Sequence, residues 1–320
     1  RAHSFELQAQ QLRVLTDVRV KFYEAWGAQQ RLILVQRFQL LVEKGLELAE
    51  LRKKAMEGSE LEVFQAKLQK SEIDLSLSQT EVAFASTWRE LNVLTGMPDC
   101  DPIGLAVELP EQIPGVDWHE LGCEMIRDSP EYQAAGARVR QARALLNRQL
   151  AQTISNYELE IGGGYDNGTD SGLLNLQVGR PIAIHNQNQG NIAAARAELN
   201  RACREQQRVA DSIRYRLAGV SRQFDSALAA TGVYAQQIIP AAEQGMELAE
   251  LAYKVGESDF VQVLIARRAY FDSHLKLLEA QIQLAQTTAQ IAGLVLSGAL
   301  DQPLDESGDD SLRDFSFNQQ

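Results

Sequence analysis

Residues 156–179 read NYELEIGGGYDNGTDSGLLNLQVG, and the period of two in this stretch decides how the rest of the chain must be built. Tyr157, Leu159, Ile161, Gly163 and Tyr165 alternate with Asn156, Glu158, Glu160, Gly162 and Gly164. Beyond Asp166-Asn167-Gly168-Thr169-Asp170, Leu174, Leu176 and Val178 alternate with Asn175, Gln177 and Gly179. Alternation on both sides of an Asn-Gly turn is the pattern of a β-hairpin, because successive side chains of a strand point to opposite faces. Each strand has nine to eleven residues, about the length that crosses a bilayer when tilted. One face is apolar, with tyrosines near both ends of the first strand, and the other carries Glu, Asn and Gln. An isolated hairpin is marginally stable, and the remaining sequence offers no second clear strand pair. Its partner strands are therefore expected from other chains or from residues upstream of residue 1, which points to a barrel shared between protomers. A soluble hairpin with an apolar face reads the same way, so a soluble periplasmic coiled-coil scaffold or adaptor stands as the alternative.

Everything around the hairpin reads as long helix. Residues Ser4 to Met56 are helical in pattern, with Gly27 and Gly45 as weak points, and helix resumes after Glu57-Gly58-Ser59 as far as Leu94. Thr95-Gly96-Met97-Pro98 closes it, with glycine after the last apolar residue and proline beyond. Pro98, Pro102, Pro110 and Pro114 make residues 98–118 irregular. Helix returns from Trp118 to Arg127 and restarts at Asp128-Ser129-Pro130-Glu131, with Ser129 as N-cap before an N1 proline. From Gly190 to Val255, Ile192, Leu199, Ile213, Val220, Ala227 and Tyr234 keep a seven-residue interval, flanked by Cys203, Ala210, Leu217 and Phe224. Such a repeat imposes a left-handed supercoil; Gln206 interrupts it, and Pro240 is expected to kink the helix. The chain thus divides into a helical hairpin at 1–97, an irregular segment at 98–127, a helix at 128–155, the β-hairpin at 156–182, a second helical hairpin at 186–299 and an acidic tail at 300–320 expected to be disordered.

Composition narrows the function. The 320 residues carry 31 Lys+Arg against 43 Asp+Glu, a net charge of -12, which disfavours nucleic acid as a partner because phosphates need cationic neutralisation. No stretch reaches the roughly 18 apolar residues of a transmembrane helix, although a β-barrel leaves no such mark. Cys100, Cys123 and Cys203 form no C-x-x-C pair, and His3, His119, His185 and His274 are scattered, so no metal site is assigned. Cys100 and Cys123 can pair in an oxidising compartment or stand as free thiols. Gly162, Gly163 and Gly164 lie within a strand and form no phosphate loop. With no nucleophile–base pair or ligand cluster, the chain is expected to be no enzyme and to hold no cofactor.

The segment Gly45-Leu46-Glu47-Leu48-Ala49-Glu50-Leu51 returns as Gly245-Met246-Glu247-Leu248-Ala249-Glu250-Leu251, 200 residues later, and Val63/Val263 and Ala66/Ala266 keep the offset. Both copies then turn at a small Gly/Ser/Glu tip, 57–60 and 256–259. A helix–tip–helix unit used twice indicates a duplicated architecture. Because the second copy follows a β-hairpin, the duplication predicts another hairpin before residue 1.

Several motifs together resemble the TolC-type outer-membrane efflux channels. They are Gly179-Arg180-Pro181-Ile182 with Asn186-Gln187-Asn188-Gln189-Gly190-Asn191-Ile192-Ala193-Ala194-Ala195; Pro240-Ala241-Ala242-Glu243; Ala252-Tyr253-x-x-Gly256; Val263-Leu264-x-Ala266-Arg267; Leu91-x-x-Leu94-x-Gly96; and Ser129-Pro130-Glu131-Tyr132 with Ala142 and Ala144. The resemblance covers residues 1 to 300 and leans toward the branch that serves cation and heavy-metal pumps. It implies a mainly α fold of long antiparallel coiled-coil hairpins, an α-barrel, whose β-hairpin joins a transmembrane β-barrel. It further implies a homotrimer in the outer membrane, with helices in the periplasm, acting as a passive exit duct. The implied partners are a periplasmic adaptor (membrane fusion) protein, an inner-membrane pump of the RND type and outer-membrane lipid.

The resemblance also names candidate residues. Tyr253 matches a tyrosine that holds the closed tip, and Glu62 falls where its carboxylate partner would stand; a phenol donating to a carboxylate makes a strong bond. Packing for Tyr253 and a solvated face for Glu62 are the plain reading. Ser258 stands where a latch arginine is found in the family, and Gln262 and Ile265 where acidic residues ring the constriction; the acids here move to Glu257 and Asp259. Glu57, Gly58, Ser59, Val255, Gly256 and Glu257 are turn residues that the resemblance also implicates in adaptor docking. Tyr157, Leu159, Ile161, Leu174, Leu176 and Val178 are expected to face lipid.

Overall fold

The computed structural model describes residues 2–98, 100–107, 115–154, 156–168, 170–180 and 187–301. His185, Pro110, Pro114, most of the strand-to-helix junction and the acidic tail beyond Asp301 lie outside them. Seven helices and one hairpin follow in the order α1 (Ala2–Lys54), α2 (Glu60–Thr95), α3 (Trp118–Asp128), α4 (Pro130–Ala151), β1 (Glu158–Asp166), β2 (Ser171–Gly179), α5 (Gln189–Val233), α6 (Ile239–Lys254) and α7 (Phe260–Ala292), with a π turn over Tyr234–Ile238. None of the described helices is long and apolar enough to cross a membrane. The chain forms two compact units, one from segments 1–9 and 113–221, the other from 10–112 and 222–320.

In the first unit the small residues Ala134, Ala135, Ala137 and Ala142 of α4 are buried. Ser129 occupies the N-cap of α4 before Pro130, but its side chain makes no capping bond; its hydroxyl is buried without a partner. The Glu131 carboxylate instead accepts from Arg216 Nη2 of α5 at 2.6 Å. Within this unit α5 buries Ala195, Ala202, Ala210, Ile213, Leu217 and Val220, so Ala202 takes the position expected of Cys203, which is exposed. Two successive steps of four, Ala202 to Gln206 to Ala210, shift the stripe by one residue. From there Ala210, Leu217 and Phe224, and beside them Ile213, Val220 and Ala227, keep the seven-residue interval. Gln206 is accommodated because α4 presents Gly136, where a Cβ would stand 3.1 Å from Gln206 Nε2. At the base of the hairpin, Asn188 (φ 60°) donates through Nδ2 to the backbone and side-chain oxygens of Gln149 at 2.9 and 2.8 Å.

β1 and β2 pair antiparallel, with Leu159 opposite Val178, Ile161 opposite Leu176, Gly163 opposite Leu174 and Tyr165 opposite Gly172. This register places Leu159, Ile161, Tyr165, Leu174, Leu176 and Val178 on one face. Among the described residues the sheet has these two strands alone.

In the second unit, α1 runs through Gly27 and Gly45 without a break. Both glycines mark close approaches, since a Cβ at Gly27 would collide with Ile282 of α7 and one at Gly45 with Arg267. Val35, Phe38, Val42 and Ile73 form one buried cluster with Tyr270 and Phe271, the Phe38 and Phe271 rings stacking at 4.3 Å. Ala25, Trp88 and Leu91 form another. Trp88 Nε1 and Asn92 Nδ2 both donate to the Cys100 carbonyl at 2.8 Å, strapping the irregular segment to α2. Cys100 and Cys123 are exposed free thiols. A π turn over Tyr234–Ile238 precedes Pro240, which stands in the first turn of α6, where the lost amide donor costs least. Beyond α7, Leu296 is fully buried and Asp17 Oδ2 accepts from the Gly298 and Ala299 amides at 3.0 and 2.7 Å, a closure the sequence pattern did not announce.

Candidate functional site

The two helical tips lie in the second unit and share one construction, 200 residues apart. α1 ends at Lys54 and α6 at Lys254; α2 begins at Glu60 and α7 at Phe260. In the first tip the Glu57 amide donates to the Arg52 carbonyl at 2.9 Å, and in the second the Glu257 amide donates to Ala252 at 2.9 Å. These are the six-to-one bonds of a Schellman motif, which needs a left-handed residue just after the helix. Met56 (φ 58°) and Gly256 (φ 82°) supply it. The turns thus begin two residues before 57 and one before 256, and Ser59 and Asp259 are the N-caps of the returning helices. Glu57, Ser59, Val255, Gly256 and Glu257 are exposed and Gly58 is half-buried, so all but one of the expected docking residues stand open to solvent.

Tyr253 and Glu62 are brought together. Tyr253 Oη donates to Glu62 Oε2 at 2.7 Å, joining α6 to α2. The ring is only 3% exposed and packs with Ala49, Val63, Ala66, Phe260 and Val263. Packing and hydrogen bonding are therefore both true of Tyr253. Burial, followed by the neighbouring carboxylate, pushes its hydroxyl up to about 12, so it remains a donor through the physiological range. Ser59-x-x-Glu62 is a capping-box spacing. Ser59 Oγ accepts from the Glu62 amide at 3.2 Å, but the Glu62 side chain turns to Tyr253 instead of closing the box. Gln262 and Ile265 do not join this group; both lie exposed on α7.

Two arginines to which the sequence assigned no role stand beside this pair of hairpins. Arg52 places its guanidinium 4.3 Å over the Tyr253 ring and donates through Nη1 to the Tyr253 carbonyl at 3.0 Å. Arg267, 5% exposed, pairs with Glu250 through Nε at 2.9 Å and Nη2 at 2.8 Å, while its Nη1 is buried without a partner against Gly45. The Ala266-Arg267 motif was visible in sequence, whereas its glycine partner lies on another helix.

In the hairpin, Leu159 (62%), Ile161 (66%), Leu174 (81%), Leu176 (64%) and Val178 (67%) are largely exposed. At the rims, Arg180 lies 5.2 Å over the Tyr157 ring and Tyr165 donates to Asp170. An exposed apolar band bordered by polar-anchored tyrosines suits lipid on one side and water at both ends. Among the described residues no group of three or more His, Cys, Asp or Glu could hold a metal ion.

Comparison with known proteins agrees with this arrangement. The family model for "outer membrane efflux protein" matches residues 130–295, and the chain belongs to that family. Cobalt-zinc-cadmium resistance protein CzcC of Cupriavidus metallidurans is 23% identical over 288 residues, covering 89% of this chain and 69% of that protein. Among solved structures, a membrane protein from Pseudomonas aeruginosa superposes with TM-score 0.74 at 17% identity, over 92% of this chain and 70% of that one. The outer membrane protein VceC of Vibrio cholerae gives 0.72 at 19% identity, over 92% and 73%. The fold is that of the TolC-type channels, and family membership makes the chain a non-enzymatic efflux channel of the outer membrane with a periplasmic helical part.

Proposed function

We propose that this chain forms the exit duct of a tripartite efflux system as a homotrimer, gated at its tip by the Tyr253–Glu62 bond. The periplasmic adaptor docks on Glu57, Gly58, Ser59, Val255, Gly256 and Glu257, and an RND-type inner-membrane pump supplies the cargo. The observation that carries the gate is the 2.7 Å bond from Tyr253 to Glu62, which ties two helical hairpins together beside two exposed turns. Such a bond to a charged group is worth about 1.5–3 kcal/mol, enough to favour the closed tip yet small enough for a docking partner to overcome. Gln262 and Ile265 line the constriction in this reading, with Glu257 and Asp259 as its acidic groups.

Assembly into a trimer is supported by two unpartnered stripes in the second unit. Leu61, Phe64, Leu68, Leu75 and Val82 run along α2 at coiled-coil spacing, and Leu248 and Leu251 along α6, all more than half exposed. Two different stripes on one chain suit a head-to-tail ring. The named resistance of the relative CzcC, with the sequence lean noted above, makes divalent transition-metal cations the proposed cargo, chosen by the pump and not by a site in this duct.

The test is single-channel conductance of the trimer in planar bilayers. Tyr253→Phe and Glu62→Gln each raise conductance if the bond holds the tip closed; unchanged conductance in both variants refutes the gate.

A further inference from the structure

We propose that Arg52 couples the first tip turn to the Tyr253–Glu62 bond, so that displacing this turn releases the gate. The inference rests on the gated-duct reading above and adds to it the route by which docking reaches the latch.

The backbone of Arg52 organises the turn. Its carbonyl accepts from the amides of Glu57 at 2.9 Å and Gly58 at 3.1 Å. A Cβ at Gly58 would stand 3.0 Å from the Arg52 Cβ, so the turn rests directly on this residue. The side chain leaves the hairpin that the backbone belongs to. Its guanidinium lies 4.3 Å over the ring of Tyr253 and Nη1 donates to the carbonyl of the same residue at 3.0 Å, while Nη2 reaches back to the Glu57 carbonyl at 3.5 Å. Next to it Lys53 pairs with Glu60 at 3.0 Å, whereas Arg52 directs its charge to an aromatic face that is 3% exposed. A cation over a ring shielded from water is held more strongly than one at an open surface. A planar guanidinium can stack and donate at once, which an ammonium cannot.

The other flank of the turn holds the other half of the latch, because Ser59 Oγ accepts from the Glu62 amide at 3.2 Å. A turn of a few residues therefore grips Tyr253 through Arg52 on one side and Glu62 through Ser59 on the other. The second tip has no counterpart of the Arg52 side chain. There the same turn-closing carbonyl belongs to Ala252, whose methyl group cannot cross to the facing hairpin. The two tips are alike in backbone and unlike in connection: the second holds Tyr253 from within its own hairpin, through the Gly256 amide on the Tyr253 carbonyl at 3.2 Å, whereas the first reaches it from the facing hairpin through the Arg52 side chain.

The experiment uses the full-length trimer in planar bilayers, with trimer content checked on unheated gels. Arg52→Ala is expected to raise the open-to-closed ratio about tenfold, the scale of one such contact, and Arg52→Lys to restore part of the loss. In a Tyr253→Leu background, which removes the ring, Arg52→Ala adds little. Gly58→Val, which pushes the turn off Arg52, opens the channel when Arg52 is present and has no further effect in Arg52→Ala. If Arg52→Ala does not assemble, Arg52→Gln takes its place. The proposal is overturned if Tyr253→Leu opens the channel while the Arg52 variants match wild type, or if Gly58→Val opens it equally without Arg52. If neither Tyr253→Leu nor Glu62→Gln alters a conducting trimer, the gate itself falls, and this coupling with it.

Discussion

Gly45 and Gly245 occupy the same place in the two helical hairpins, and the structure gives them opposite responses to a single methyl group. Both are interior helical positions, where alanine is favoured over glycine by about 1 kcal/mol. At Gly245 an added Cβ meets nothing within 4 Å, so Gly245→Ala should be stabilising by about that amount. At Gly45 the Cβ would collide with Arg267 Nη1 and stand 3.3 Å from Cζ. The guanidinium must then move, and its bonds to Glu250 at 2.9 and 2.8 Å stretch or break. Losing one partner of a buried pair costs about 3–5 kcal/mol, and simple overpacking about 1–3. Set against the helical gain, Gly45→Ala should destabilise by about 2 kcal/mol. Thermal unfolding of the two variants beside the parent in detergent measures both. Shifts of the same sign at the two sites would refute the reasoning, since propensity would then outweigh the contact with Arg267.

Other outcomes follow from the same geometry. The Tyr253 hydroxyl is raised to about 12, so its contribution to a closed tip is complete below about pH 10, the ordinary tyrosine value, and is lost as pH climbs toward 12; conductance should rise over that window, and Tyr253→Phe should abolish the rise. Met56 holds φ 58° without being glycine and is exposed, so Met56→Gly should raise the melting stability by about 1 kcal/mol. At the centre of the proposed lipid face, Ile161→Lys should cost about 2–4 kcal/mol of barrel assembly and reduce the trimer recovered from membranes, whereas Glu160→Lys on the opposite face should be tolerated.

Much of this arrangement was legible because its causes are local. Alternation in 156–179, the Gly96 stop and the Pro130 start each depend on residues a few positions apart, and each appears where the pattern placed it. The repeat offset located both tips, and the resemblance to the channel family made the Tyr253–Glu62 pair a specific expectation. What stayed hidden depends on facing surfaces. Gly27 and Gly45 look like helix breakers until Ile282 and Arg267 are seen above them. Cys203 and Ala202 are neighbours, and only packing in α5 chooses between them. The stacking of Arg52 on Tyr253 joins residues 201 positions apart, and no periodicity records a contact of that kind.

The two-stranded sheet also has a consequence in time. Each of its outer edges presents amides and carbonyls that the hairpin itself cannot pair, and hydrogen bonding at such edges is completed by neighbouring strands. The contacts within the helical hairpins form inside one chain, at rates indifferent to how many chains are present. In the proposed trimer, closure of the shared barrel is instead a meeting of molecules, concentration-dependent and late. Between those two stages each chain carries a solvated apolar face with open strand edges, the state in which mispairing and aggregation compete with assembly.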